Sequence, residues 1–217
     1  MCIRDRGYVV IDNTQRGPGL GGIRMVPDVT LSEVKRLARV MTLKNSVSQL
    51  PYGGGKAGLL IHPEAFHDQS TARKDLFSQF AEALFATEGY IPAPDMGTNE
   101  QDIQWIYENF SENLGTLQHG RGGASRPREK GGIPIDEWGL TAHGLFAATR
   151  TMEKFEDSFS IKGCQVVIQG YGNVGAWIAT KLAKAGAIIV GASDIHAALW
   201  HPQGLDITHL NDLRCQP

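Results

Sequence analysis

The chain has 217 residues, room for one large or two small domains. Hydrophobic residues make up 41%, charged residues 20%, and the formal net charge is −2; this balance excludes a globally basic nucleic-acid binder or polybasic membrane-surface protein. No apolar run reaches the roughly 18 residues of a membrane span, and Cys2, Cys164 and Cys215 lack metal or redox spacing, which points to a reduced, cytoplasmic protein.

The opening MCIRDRGYVV has no long apolar core of the signal-peptide kind. Tyr8 to Asp12 reads as a short strand, and the glycine-rich GPGLGGIRM, Gly17 to Met25, leaves room for a second. Thr30 and Glu33 form a capping-box signature that opens a helix with the apolar stripe Leu31, Val34, Leu37, Ala38 and Met41. Lys44 continues that stripe three residues after Met41. Pro51 to Gly58 reads as a turn, followed by a buried strand from Ala57 to Ile61. Ala72 to Thr87 reads as a second helix, and the prolines of YIPAPD keep Tyr90 to Asp95 extended. Thr98 and Gln101 make another capping box, ahead of a helix through Ile103, Ile106 and Tyr107.

The polar, glycine-rich stretch from Gly115 to Gly132 is the best internal boundary. It carries Arg121, Arg126, Arg128 and Lys130 without interleaved aromatics, the pattern of a solvated face. A helix over Leu140 to Lys154 follows, then a strand over Cys164 to Gly170, a helix through Ile178 and Leu182, and a strand ending at Asp194. This is half of a mononucleotide-binding βαβ pattern. The expected fold class is therefore α/β: residues 7–135 as an N-terminal substrate domain, residues 136–217 as a linker helix and the start of a truncated Rossmann-type domain.

Three groups carry chemistry. Gly170, Gly172 and Gly175, with Asn173 and Val174 between them, supply GxGxxG between strand and helix. The glycines allow a tight turn, close approach of a pyrophosphate and close helix–strand packing, and the helix start offers free N–H groups. Asp194, at the end of the second strand, suits a ribose hydroxyl. No Arg or Lys stands beside it to meet a 2′-phosphate, which favours NAD and leaves NADP as the alternative.

Gly53, Gly54 and Gly55 precede Lys56, but Leu50 and Ala57 stand where a phosphate loop needs Gly and Ser or Thr. A lysine held against close-packed backbone loses proton affinity and becomes a general base; the plain alternative is a solvated lysine at a glycine turn. Lys44 reads as an anion-binding lysine or as a snorkelling one at a helix C-terminus. Asp95 reads as a placed carboxylate or as an acid favoured by a nearby helix N-terminus. The seven histidines form no metal-binding pair such as HExxH.

GPGLGGIRM, MTLKN, PYGGGKAG, PAPDMGTNE, GGIPIDEWGLTAHG and GYGNVG together resemble the glutamate/leucine/phenylalanine/valine dehydrogenase family, in that family's order and over residues 7 to 200. The resemblance implies NAD(P)-dependent oxidative deamination of an L-amino acid to a 2-oxo acid and ammonia, in a homo-oligomer, without metal. It implies that Lys44 binds the substrate α-carboxylate, Lys56 is the general base, Asp95 shuttles protons at the substrate nitrogen, and Thr141 lies near the nicotinamide carboxamide. Leu20, Gly21 and Gly22 would line the substrate. Glutamate-specific members carry a lysine where this chain has Leu20, so the expected substrate is apolar, of the leucine, valine or phenylalanine kind. The alternatives are a glutamate dehydrogenase, a different two-domain nicotinamide enzyme, and an inactive stretch that only binds dinucleotide.

Overall fold

The computed structural model describes residues 6–62, 71–114, 128 and 132–214. The chain forms two compact units, residues 1–134 and 135–217. The stretch read as an inter-domain boundary, with its basic residues Arg121, Arg126 and Lys130, lies almost wholly outside the described residues. No helix among the described residues is long and apolar enough to cross a membrane.

The first unit is built on strands β1 (Arg6–Asn13), β2 (Gly19–Val26), β3 (Gly53–Leu60) and β4 (Tyr90–Pro94). Their order is β1-β3-β2-β4; β1 runs antiparallel to β3, and β2 is parallel to both β3 and β4. Three helices flank this sheet: α1 (Leu31–Val47), α2 (Thr71–Phe85) and α3 (Glu100–Leu114). Side chains alternate between the faces of a strand. Ile23, Met25, Ala57 and Leu59 therefore enter the core with Phe77, Phe80 and Ile106 of α2 and α3. The opposite face meets α1, where Val34 and Ala38 are fully buried.

The glycine tract differs from the turn read in the sequence: Gly53 to Lys56 is the first half of central strand β3. The reason is crowding on both sides. A Cβ on Gly54 would stand 2.0 Å from the Thr42 hydroxyl, and one on Gly53 would stand 1.8 Å from the Asn13 carbonyl oxygen. Glycine lets α1 and β1 close on this strand.

Two caps also differ from expectation. Thr30 caps α1, accepting from the Glu33 N–H at 3.2 Å, but the Glu33 carboxylate turns away to Arg24. The α3 cap is Asn99, one residue beyond Thr98: its Oδ1 accepts from Gln101 and Asp102 N–H, and Asp102 Oδ2 accepts from Asn99 N–H in return. Thr98 is unavailable because its hydroxyl donates to the Ile23 carbonyl and accepts from the Asp95 N–H.

The second unit has helix α4 (Leu140–Met152), strand β5 (Gln165–Gln169), helix α5 (Asn173–Lys184) and strand β6 (Ile188–Ser193), with β5 and β6 parallel. Its core joins Ala142, Ile168, Ile178, Ala179, Leu182 and Ile189. Two elements carry no strong periodic pattern in the sequence: β7 (Ala198–Trp200), antiparallel to β6, and α6 (Ile207–Arg214).

Candidate active site

In the first unit the chemistry gathers on the α1 face of the sheet. Lys56 points there from β3, and only 6% of the residue is exposed. Its ammonium forms an ion pair with the Asp95 carboxylate. Asp95 follows β4 and is fixed by Thr98, which ties its backbone to β2. Gly22 faces it: a Cβ there would lie 2.8 Å from the Asp95 Cβ and 2.5 Å from the Pro94 carbonyl oxygen. The bare backbone at Gly22 is thus what admits the carboxylate to this face.

Arg24, part of GPGLGGIRM but given no role by that motif, completes the cluster. It shares the face of Leu20 and Gly22 by strand alternation. Its Nε donates to Asp95 Oδ2 at 3.2 Å and its Nη1 to Glu33 Oε1 at 2.5 Å. The one signal in the sequence is the two-residue step from Gly22 to Arg24, which puts the guanidinium beside whatever Gly22 admits.

These contacts set the proton affinities. Burial depresses the Lys56 pKa below 10.5; its bond to Asp95 opposes this, while the nearby charges of Arg24 and Lys44 reinforce it. Burial by itself would raise the Asp95 pKa. The Lys56 ammonium, the Met96 N–H and Arg24 together outweigh it and hold the carboxyl below 3.8. Lys44 is exposed on the last turn of α1, where the buried position is its neighbour Asn45. This corrects the expected continuation of the apolar stripe. Asn45 Nδ2 donates to the Gly53 carbonyl at 2.6 Å and locks the helix end onto β3. Among the described residues Lys44 therefore keeps a free ammonium, close enough for its charge to bear on Lys56.

Leu20 is half-buried on β2, and Gly21 serves the structure through its carbonyl, which accepts from the buried Tyr90 hydroxyl at 2.7 Å. This face can therefore bind an anion at Lys44, take a proton at Lys56 and present an ionised carboxylate at Asp95.

The second unit gathers the other set. Gly170 adopts φ +88°, and a Cβ on Gly175 would stand 2.0 Å from the Gly170 carbonyl oxygen. Among the described residues nothing lies within 4 Å of a Cβ built on Gly170 or Gly172, so the turn is open above. Gly172 caps α5 without a side-chain bond, leaving first-turn N–H groups of Asn173, Val174 and Gly175 for an anion. These features fit the pyrophosphate of a dinucleotide. Thr141 is exposed on the first turn of α4, which meets α5 where Gly139 abuts the Trp177 ring.

Asp194 closes β6 and is exposed, but its Oδ1 already accepts from the Ala197 and His196 N–H groups at 2.8 and 2.7 Å. Those two donors hold its pKa below 3.8. A cavity of about 520 Å³ lies alongside, lined by Asp194, His196, Tyr171 and Arg214 among others.

The model of the Glu/Leu/Phe/Val dehydrogenase dimerisation domain matches residues 4–112, and that of the Glutamate/Leucine/Phenylalanine/Valine dehydrogenases matches residues 131–216. The chain belongs to the glutamate/leucine/phenylalanine/valine dehydrogenase family. It is 37% identical over 210 residues to the NAD-specific glutamate dehydrogenase of Staphylococcus aureus, covering 96% of this chain and 50% of that protein. The hetero-hexameric glutamate dehydrogenase of Thermus thermophilus, solved in its Leu-bound form, superposes with a TM-score of 0.80 at 29% identity, covering 95% of this chain and 49% of that one. Plasmodium falciparum glutamate dehydrogenase gives a TM-score of 0.82 at 25% identity, covering 97% and 45%. The chain spans about half the length of these family members.

Proposed function

We propose that this chain carries the substrate face and the opening of the nucleotide-binding unit of an amino acid dehydrogenase: L-amino acid, water and NAD⁺ give 2-oxo acid, ammonium, NADH and a proton. The observation that carries this reading is the pairing of buried Lys56 with the part-buried Asp95 carboxylate, with the charge of Lys44 beside it. Lys44 binds the α-carboxylate as a charge-assisted pair. Lys56, its proton affinity lowered by burial, takes the proton of the water that adds to the imino carbon. Asp95, held ionised, exchanges a proton with the substrate nitrogen. The burial of Lys56 strengthens its pairing with Asp95.

Gly170, Gly172, Asn173, Val174 and Gly175 would hold the dinucleotide pyrophosphate, Asp194 the ribose, and Thr141 would lie by the carboxamide. The dinucleotide supplies the hydride acceptor. The anionic Asp194 favours NAD over NADP, in line with the NAD-specific Staphylococcus relative. The protein acts as a homo-oligomer in a reducing, cytoplasmic compartment; the dimerisation-domain match supports self-association, and the sparse cysteines support the compartment.

An apolar substrate fits the charges best. Arg24 is engaged by Asp95 and Glu33, and Lys56 by Asp95, so among the described residues Lys44 is the cation this cluster leaves for one carboxylate. Leu20 offers a distal carboxylate no partner. The second reading, glutamate, rests on the names of the relatives.

The test is NADH formation by the full chain with leucine, valine, phenylalanine and glutamate, in the parent and in Lys56→Ala. Turnover that vanishes in the variant while NADH binding persists supports the reading, and an unchanged rate refutes it. Preference for glutamate selects the second reading.

A further inference from the structure

Arg24 and Glu33 belong to no step described above, yet they are built into the same cluster. The Arg24 guanidinium meets both Asp95 oxygens, Oδ2 from Nε at 3.2 Å and Oδ1 from Nη2 at 3.5 Å. Its third nitrogen, Nη1, is anchored on Glu33 at 2.5 Å. Glu33 lies in the first turn of α1; its N–H donates to the Thr30 cap while its carboxylate serves Arg24. The side chains of Arg24 and Asp95 are about one-sixth exposed, at 18% and 17%. The result is a chain of alternating charge, Glu33–Arg24–Asp95–Lys56, that crosses from α1 over β2 to β3.

We propose that Arg24, anchored by Glu33, is a positioning residue that fixes the Asp95 carboxylate against Lys56. The inference rests on the proton roles assigned to Asp95 and Lys56 above. A planar fork meeting both carboxylate oxygens sets the carboxylate's orientation as well as its charge, which a lysine at the same place cannot do.

Arg24 also acts on both partners through charge. It stabilises ionised Asp95 and disfavours protonated Lys56. Glu33 opposes it, because its negative charge partly neutralises the guanidinium. The other groups whose charge bears on this cluster are Lys44 on α1, which reaches Lys56, and, from the core face of the sheet, the buried Tyr90 phenol on β4, which senses Asp95 and Tyr107.

Opposing signs make the test specific. The Asp95 carboxyl is followed by ¹³C NMR titration of the full chain, assigned by Asp95→Asn, with no need for turnover. Arg24→Met should move its midpoint to higher pH, Glu33→Gln to lower pH, and Arg24→Lys should restore most of the position. In the turnover assay Arg24→Met should lower kcat/KM on the order of 10²-fold, as for a misplaced reacting group, and Arg24→Lys should recover only part of it. Midpoints that move together, or not at all, overturn the proposal. Midpoints that move apart in a chain without turnover uphold the Arg24–Asp95 link and count against the proposed reaction instead. Glu33 is part-exposed, so Glu33→Gln keeps the test valid if Arg24→Met fails to fold.

Discussion

Arg73→Met should destabilise the first unit by about 3–5 kcal/mol, the cost of stranding one partner of a buried ion pair. Arg73 on α2 is 3% exposed and Asp102 on α3 is 0% exposed. Two parallel bonds of 2.7 Å join Nε and Nη2 to the two carboxylate oxygens, and Nη2 also donates to the Gly97 carbonyl at 2.9 Å. The substitution leaves Asp102 with the Asn99 N–H and removes the donor to Gly97, in the loop that carries Asp95. Arg73 also lies 5.7 Å from the Phe77 ring centroid, a contact methionine partly replaces.

The paired variant Arg73→Met/Asp102→Leu should be more stable than Arg73→Met alone. It removes the stranded charge and retains only smaller losses, about 1 kcal/mol for the α3 cap and about 1 kcal/mol for the Gly97 carbonyl. Urea unfolding reads both effects. With a slope of about 2 kcal/mol per molar, the single variant's midpoint should fall by about 1.5–2.5 M. Trp105 is buried on α3, whereas Trp138, Trp177 and Trp200 lie in the second unit. Replacing those three by Phe in every variant makes fluorescence report the first unit. A single variant costing under about 1 kcal/mol, or a paired variant less stable than the single one, would refute the reasoning.

Gly175→Ala should abolish NADH binding measured by fluorescence titration, because its Cβ collides with the Gly170 carbonyl oxygen. Gly144→Ala on α4, where a Cβ meets nothing within 4 Å among the described residues, should bind normally and gain up to about 1 kcal/mol of helix stability. Asp95 has a folded-state pKa below its ordinary 3.8, so its stabilising contribution is fully present above that value and is lost as pH falls through the depressed one. The stability gap between the parent and Asp95→Asn should therefore narrow on acidification below about pH 4; a gap that widens contradicts the assigned direction. Leu20→Lys should raise turnover on glutamate relative to leucine about tenfold or more, given the cost of an unpaired carboxylate. An unaltered ratio of the two rates would mean that Leu20 does not meet the substrate side chain.

Much of this layout was legible because its signals are local. Thr30 before an apolar stripe opens α1, the two prolines of YIPAPD hold β4 extended, and GYGNVG joins β5 to α5. What escaped the sequence depends on partners distant along the chain. Thr98 would cap α3 by its spacing, but Ile23 and Asp95 claim its hydroxyl. Lys44 continues a periodic stripe, yet the burial passes to Asn45 because Gly53 presents a carbonyl there. Arg24 looks like an ordinary strand cation until Asp95, 71 residues later, is folded against it.

The glycine tract links this geometry to the chemistry. A lysine becomes a base when burial outweighs its counter-ion, and Asp95 alone would push Lys56 the other way. Burial is achieved by close approach: Gly54 lies under Thr42 of α1, and Gly58 lies under Val34 and Val29, so helix and strand close over the lysine between them. A side chain at Gly54 would need α1 to lift, since the Thr42 N–H and the Ala38 carbonyl are backbone atoms within 2.5 Å of its Cβ. Water admitted by that lift would restore the proton affinity of Lys56. Gly54 and Gly58, on either side of Lys56 along β3, therefore tune its acidity as much as its position, and they do so from within a strand where a phosphate-binding turn would have served neither purpose.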